Sequence, residues 1–323
     1  MEKIKPLSLE GIKAVSLKER KSKVSVNQFG RRYARGATVS VFLDGLPQIL
    51  GAQDLRDVIE RIAQAKEEGK TILVGMGAHV IKVGLAPLIV QLMEEGVISG
   101  IALNGAGAIH DVEVALEGKT SEEVGAELDE GTFGMAEETA TFINNGVAEG
   151  IKNGWGLGEC LGEKILRNKL PNRQTSILAQ GAKLQVPITV HVAIGTDIVH
   201  LHPSFNPSAW GEATHLDFRQ FCALVAILEG GVYLNIGSAV ILPEIFLKAL
   251  TLVRNKGYAI DHFTTVNMDF IRHYRPLTNV VDRPTRRGGK GFNLVGHHEI
   301  MIPLLTAGIL EKLRNSQEGN RPE

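Results

Sequence analysis

Short apolar runs that end in glycine or small polar residues alternate along this chain with segments of helical periodicity, and that alternation most narrows its fold. Between residues 54 and 68, Leu55, Val58, Ile59, Ile62 and Ala63 recur at helical spacing, and Gly69 closes the segment. The β-branched run 71–74 (TILV) follows and ends at Gly75, a helix spans 85–95, and 99–103 (SGIAL) is the next strand. A helical stretch rich in Glu, Ala and Gly covers 122–168, interrupted at 146–158. Beyond it come a helix at 176–183, a strand at 188–192, an apolar helix at 218–228 and a strand at 232–234. A helix at 243–254, a strand at 262–266 and a final helix at 300–313 complete the pattern. Such alternation predicts βαβ units in an α/β fold with a doubly wound, mostly parallel, Rossmann-like sheet.

Outside these elements, residues 1–50 read as an irregular arm with short extended pieces such as 37–43 (ATVSVFL). The polar stretch 272–291 reads as a loop, and 314–323 as a frayed tail. With neither linker nor repeat, 51–313 is expected to form one domain. Lys and Arg number 35 against 36 Asp and Glu, so no basic field exists to hold a nucleic acid. The chain contains neither an uncharged apolar run of 18 residues nor the apolar core of a signal peptide, so no membrane is expected. Cys160 and Cys222 lack metal-site spacing and read as buried thiols, which suits a reducing cytoplasm.

Glycine is in surplus, with 36 residues in 323, about 11% against the usual 7% or so. Four strand ends carry it or other small polar residues: Gly75–His79, Asn104–Ala108, Gly195–Asp197 and Asn267–Asp269. Ligands of open parallel sheets bind outside the carboxyl ends of the strands, where glycine lets backbone amides approach a pyrophosphate. None of the four is a G-x-G-x-x-G fingerprint. Any one of them is explained equally by the needs of a tight turn; four on one edge point to a nucleotide site.

The stretch 72–116 (ILVGMGAHVIKVG…LNGAGAIHDVEVAL) and the stretch 176–236 (SILAQGAK…GTDIVHLHP…ILEGGVYLNI) resemble the deoxyhypusine synthase family, as does EIMIPLL at 299–305. The resemblance covers roughly residues 50–313 and keeps the order and spacing of the family's motifs. It implies a deoxyhypusine synthase-like NAD-binding fold and a transferase that oxidises an amine substrate, a polyamine in that family, and carries an aminoalkyl group on a lysine as an imine. By this likeness Gly75, Ala78, His79, Asn104, Gly105, Ala106, Gly107, Gly230, Gly231, Asn267 and Met268 fall on the family's NAD contacts. Asp111 falls on a glutamate that touches cofactor and substrate amine, and His110 replaces the glutamate before it. Asp197 matches a substrate-binding aspartate, and Asn235 stands in place of a histidine. Lys290, in RPTRRGGK, matches the imine-forming lysine, with a shorter loop and glycine where the family has tryptophan. A homotetramer is implied by the resemblance and by the long N-terminal arm.

Oxidising an amine beside a nicotinamide needs a base, a carboxylate for the cationic amine, and a clear path for hydride. Asp111 and Asp197 offer carboxylates, and His110 or His200 a base. Lys290 must be neutral to form an imine, and Arg286 and Arg287 nearby favour that state. The segment AGAIHDVEVALEGKTSEEV also resembles the ornithine-cyclising enzymes, which hold NAD and release ammonia from an amino acid. Two further readings stay open: a non-catalytic NAD-binding protein, and a zinc hydrolase built on His191, His200 and His202. Histidine in a structural role competes with the latter, and Trp210 reads as a packing residue or as a lid over the site.

Overall fold

A computed structural model describes residues 3–319. After an exposed arm come α1 (Val39–Asp44), α2 (Leu50–Glu67), β1 (Ile72–Met76), α3 (His79–Lys82), α4 (Ala86–Glu94), β2 (Gly100–Asn104) and α5 (Gly105–Glu117). The middle of the chain supplies α6 (Val124–Glu130), α7 (Glu137–Gly150), α8 (Leu157–Arg167), α9 (Ile177–Leu184) and β3 (Ile188–His191). Then follow α10 (Pro207–Val225), β4 (Val232–Ile236), α11 (Ile241–Asn255), β5 (Thr264–Asp269), the single turn α12 (Tyr274–Pro276), β6 (Lys290–Val295) and α13 (His298–Gly319).

The six strands form one all-parallel sheet in the order β3-β2-β1-β4-β5-β6. This is the doubly wound, Rossmann-like α/β fold, with the direction of winding reversing between β1 and β4. Both faces are covered, as parallel sheets require. On one face Ile72, Val74, Leu234 and Ile236 pack under Ile62 of α2, Ile89 of α4 and Ile302 of α13. On the other, Leu73 and Tyr233 meet Phe221 of α10 and Phe246 of α11, with the Tyr233 and Phe246 rings stacked at 3.9 Å. Among the described residues, no helix is long and apolar enough to cross a membrane.

The second face also holds a polar row. Asn235, Asn267 and Asn293 are register partners on β4, β5 and β6. Asn235 Nδ2 donates to Asn267 Oδ1 at 2.8 Å, and Asn267 Nδ2 donates to Asn293 Oδ1 at 2.8 Å. Buried amides need such partners.

Three segments differ from their sequence expectation. Residues 37–43 are not extended: Thr38 Oγ1 caps α1 by accepting from Val41 N, and Leu43 is buried against α13. A cap and one anchored leucine outweigh the strand propensity of the valines. The stretch 272–291 is not a loop, since it carries α12, a π-helical turn (Leu277–Asp282) and the first residues of the edge strand β6. Residues 314–319 continue α13 instead of fraying, and 320–323 lie outside the described residues.

Candidate functional site: the crevice at the strand ends

The crevice between β1 and β4 is floored by bare backbone. Gly77 N donates to Ile236 O at 2.9 Å, and Gly237 N donates to Met268 O at 3.0 Å. Gly237 is left-handed (φ 62°), which favours glycine, and a Cβ on Gly77 would stand 2.2 Å from Gly237 O. Aromatic rings surround this floor. His298, which follows β6 and is fully buried, lies against Gly237. Its ring centroid is 5.5 Å from that of His79 and 5.9 Å from that of Phe270. Phe270 in turn stacks on His297 at 6.0 Å.

One strand over, β2 runs straight into α5. Asn104 caps that helix, its Oδ1 accepting from Gly107 N at 2.9 Å. The carboxylate of Asp197 stands over the first turn, its Oδ2 2.0 Å from where a Cβ of Gly105 would be. Burial pushes the Asp197 carboxyl up to about 6. The loop carrying Asp197 is held by His200, whose Nδ1 accepts from Gly195 N at 3.1 Å and Asp197 N at 3.3 Å. Trp210 packs edge-on to the His200 ring and donates its Nε1–H to Asn144 Oδ1 at 2.9 Å. Trp210 is therefore a buried packing residue. The His200 lone pair is spent on two backbone donors, and burial lowers its pKa, so His200 is a strut and not a free base.

The fold gathers Ala78, His79, Asn104, Gly105, Ala106, Gly107 and Asp197 at this edge, with His110 one turn beyond Ala106 on the half-open side of α5. Gly75 lies just inside the edge, where Tyr233 fills the space a side chain would need. Asn235 and Asn267 lie one layer down in the buried amide row, and the Met268 side chain is in the core.

Three expectations need correction. Lys290 opens β6, so it sits at the amino end of the sheet, about 16 Å from the strand's carboxyl end at 3.3 Å per residue. There it lies exposed over the Phe292 ring at 5.1 Å. Gly230 and Gly231 share that far edge; a Cβ on Gly231 would meet Thr71 O at 2.1 Å, so its smallness serves strand packing. Asp111 is a structural cap. Its carboxylate accepts from Ser176 Oγ at 2.5 Å, Ile177 N at 2.8 Å and Leu178 N at 3.2 Å, at the start of α9. Burial nonetheless outweighs those bonds and lifts its pKa to about 6.

The histidines proposed as zinc ligands do not converge. His191 Nε2 bonds Thr189 Oγ1 and burial pushes its pKa down to about 3, while His202 Nδ1 bonds Ser204 Oγ. A cavity of about 430 Å³, lined by Gly156, Glu159, Glu163 and Asp217, opens at the amino end of β3, away from the crevice. Asp217 there is engaged in holding Gly158 N and Val190 N. Gly237 and Phe270 were not singled out in the sequence, and His298 was seen only as half of the pair His297–His298 near the C-terminus. Their signal was a glycine after the strand at 232–236 and a histidine pair after a strand that itself went unseen.

No protein family model and no curated protein matches this sequence. Solved structures do match in fold. A conserved LOR/SDH protein of Methanococcus maripaludis S2 is 17% identical, with 83% of this chain and 71% of that one covered at a TM-score of 0.52. AgrE, crystallised as a ternary complex with ornithine and NAD+, is 14% identical over 83% of this chain at a TM-score of 0.52. This chain spans only 34% of AgrE. A deoxyhypusine synthase from Entamoeba histolytica is 12% identical over 87% of this chain, at a TM-score of 0.49 too loose to carry an argument. At these identities the likeness shows the fold, an α/β Rossmann-like sheet.

Proposed function

We propose that this chain is an NAD-dependent enzyme that oxidises a small amine or amino acid at the β1–β4 crevice. The observation that carries this reading is the pair Gly77 and Gly237. They let β1 and β4 end backbone against backbone at the switch point of a dinucleotide-ordered sheet, a Cβ on Gly77 meeting Gly237 O and one on Gly237 meeting the His298 ring. Gly77, Ala78 and Gly237 would hold the dinucleotide's backbone-facing groups, and Phe270 and His79 would flank its rings. When bound, NAD supplies a hydride acceptor.

Asp197 fits the substrate's ammonium group. A carboxylate over the first turn of α5 disfavours a phosphate at that helix end and favours a cation beside it. His110 is the base of this reading: it is half-buried, on the open side of the same helix. It takes one proton from the substrate ammonium. The neutral amine then releases hydride from its carbon and becomes an iminium ion, which water converts to a carbonyl compound and ammonia. This is oxidative deamination, which shares amino-acid oxidation and ammonia release with the ornithine-cyclising alternative, rather than aminoalkyl transfer, because the transfer lysine lies at the opposite, amino end of the sheet. The AgrE complex with ornithine and NAD+ supports the choice of substrate class.

The test is calorimetry with NAD, followed by NADH formation with ornithine, other amino acids and polyamines. NAD binding with amine-dependent NADH is expected. No detectable binding at millimolar NAD would overturn the cofactor, and binding with no turnover on any amine would leave a non-catalytic NAD-binding protein.

A further inference from the structure

Glu113, one turn after His110 on α5, and Thr120, from the loop that follows the helix, have no part in the reading above. They form a hydrogen-bonded chain with His110. The ring's Nδ1 lies 2.5 Å from Thr120 Oγ1, and the Thr120 hydroxyl donates to Glu113 Oε2. Thr139 of α7 donates to the other carboxylate oxygen at 3.4 Å. Glu113 Oε2 is itself 3.4 Å from His110 Nδ1. Burial works to raise the Glu113 pKa, but the bonds from His110, Thr120 and Thr139 outweigh it and hold the carboxyl below its ordinary range. Glu113 is therefore an anion at neutral pH.

The direction of this chain follows from counting protons. A hydroxyl has one, and that of Thr120 goes to the carboxylate. Its oxygen must then accept from the ring, which places the histidine proton on Nδ1. A neutral ring protonated at Nδ1 keeps its lone pair on Nε2, which has no hydrogen-bond partner among the described residues. The spacing on α5 adds to this. Ala106, His110 and Glu113 fall on the helix's half-open side, and Ala106 adjoins the glycine beneath Asp197. The tautomer that leaves Nε2 free is thus fixed on α5 itself, five residues along the helix from the glycine beneath the carboxylate expected to hold the amine.

We infer that Glu113 and Thr120 are positioning residues that lock His110 in its Nδ1–H tautomer, so that Nε2 takes the substrate's ammonium proton; this rests on the reading of His110 as the base. Once the proton arrives, the ring is a cation whose Nδ1–H still faces Thr120, with the Glu113 anion behind it. The same relay that sets the tautomer then stabilises the imidazolium, in the way an acidic partner orients and supports a general base. The oxidation itself is unchanged by this role: hydride would leave the substrate carbon for the bound cofactor, and the proton on Nε2 passes to solvent when product leaves.

The test reads the ring directly. Nitrogen-15 NMR of the full chain without cofactor should show His110 protonated at Nδ1. T120V and E113Q should shift the ring toward Nε2–H, and T120S, which keeps the hydroxyl, should restore Nδ1–H. With NAD and the best amine, T120V and E113Q should lose about tenfold or more in kcat while NAD affinity is unchanged, with T120S near wild type. A wild-type ring protonated at Nε2, or a tautomer indifferent to T120V and E113Q, would overturn the relay whatever the activity. The expected tautomer shifts with unaltered kcat would overturn the positioning role. Failure of NAD binding would fall on the function proposed above, and the cofactor-free tautomer would still decide the relay.

Discussion

The carbonyl oxygen of Gly237 stands 2.2 Å from the point where a Cβ on Gly77 would begin, so β1 and β4 end backbone against backbone. Gly77→Ala must push these two strand ends apart, and overpacking of this kind costs about 1–3 kcal/mol. Urea unfolding should show that loss and calorimetry a larger loss in NAD affinity. Gly51→Ala, in α2 with nothing within 4 Å of the new methyl, should be neutral or stabilising. A Gly77→Ala protein that binds NAD like wild type would refute the crevice as the cofactor site.

Asp197 makes stability and function pull in opposite directions. Its pKa is raised from 3.8 to about 6 by burial. A raised carboxyl supports the fold while protonated, fully so below its unfolded pKa, and that support is lost as pH rises through the folded value. Asp197→Asn stays neutral throughout. It should therefore be more stable than wild type at pH 8, by up to about 3 kcal/mol, with the gap closing below pH 4. Amine oxidation should fall in the same variant. Equal urea midpoints at pH 8 would contradict the raised pKa.

Lys290→Met should change kcat/KM for amine oxidation by less than twofold, since the side chain lies over Phe292 at the amino end of the sheet. Borohydride trapping with NAD and a polyamine should add no mass to the peptide containing Lys290. A trapped adduct there would restore the transfer mechanism.

Asp111→Ala should strike folding, not chemistry. It orphans the Ser176 hydroxyl and the Ile177 and Leu178 amides at the start of α9. Unsatisfied buried donors of this number cost about 2–4 kcal/mol, read as a lower urea midpoint. Turnover per folded molecule should hold at 25 °C; a hundredfold loss without destabilisation would return Asp111 to the site.

The arm exposes Ile4, Leu7, Leu9 and Ile12, each at least 69% accessible. Apolar residues left in water in this number favour association, and a homo-oligomer, a tetramer by the family resemblance, is the proposed state. Light scattering at micromolar concentration should report a particle larger than the monomer. A monomer mass there would refute it.

Five of the six strands and the parallel α/β class could be read from residue pattern, because buried parallel strands are short apolar runs that end at glycine or polar residues. β6 could not: Lys290, Gly291 and Asn293 interrupt its apolar residues, and it lies at the edge of the sheet. The strand ends around His79, Asn104 and Asp197 were legible because polar and small residues sit directly after apolar runs. Lys290 and Gly230 misled for a geometric reason. A parallel strand has a loop at each end, and motif order does not say which end a loop residue occupies. The His110–Thr120–Glu113 chain was hidden because Thr120 reaches the helix through a turn at Gly118 that only the folded backbone specifies.

Asn235 donates to Asn267 and Asn267 to Asn293, so the row has a direction, with Asn235 Oδ1 and Asn293 Nδ2 buried at its two ends without partners among the described residues. Were β6 to slip by one residue, Phe292 would replace Asn293 on that face; a slip of two would offer Gly291 or Val295, neither with a side-chain acceptor. Each wrong alignment leaves Asn267 Nδ2 unanswered as well, at a cost of about 1–3 kcal/mol. The edge strand is thereby admitted on matching polarity as well as on the burial of Phe292 and Leu294. The row works as a checksum on assembly, rejecting misaligned sheets that hydrophobic burial by itself would tolerate.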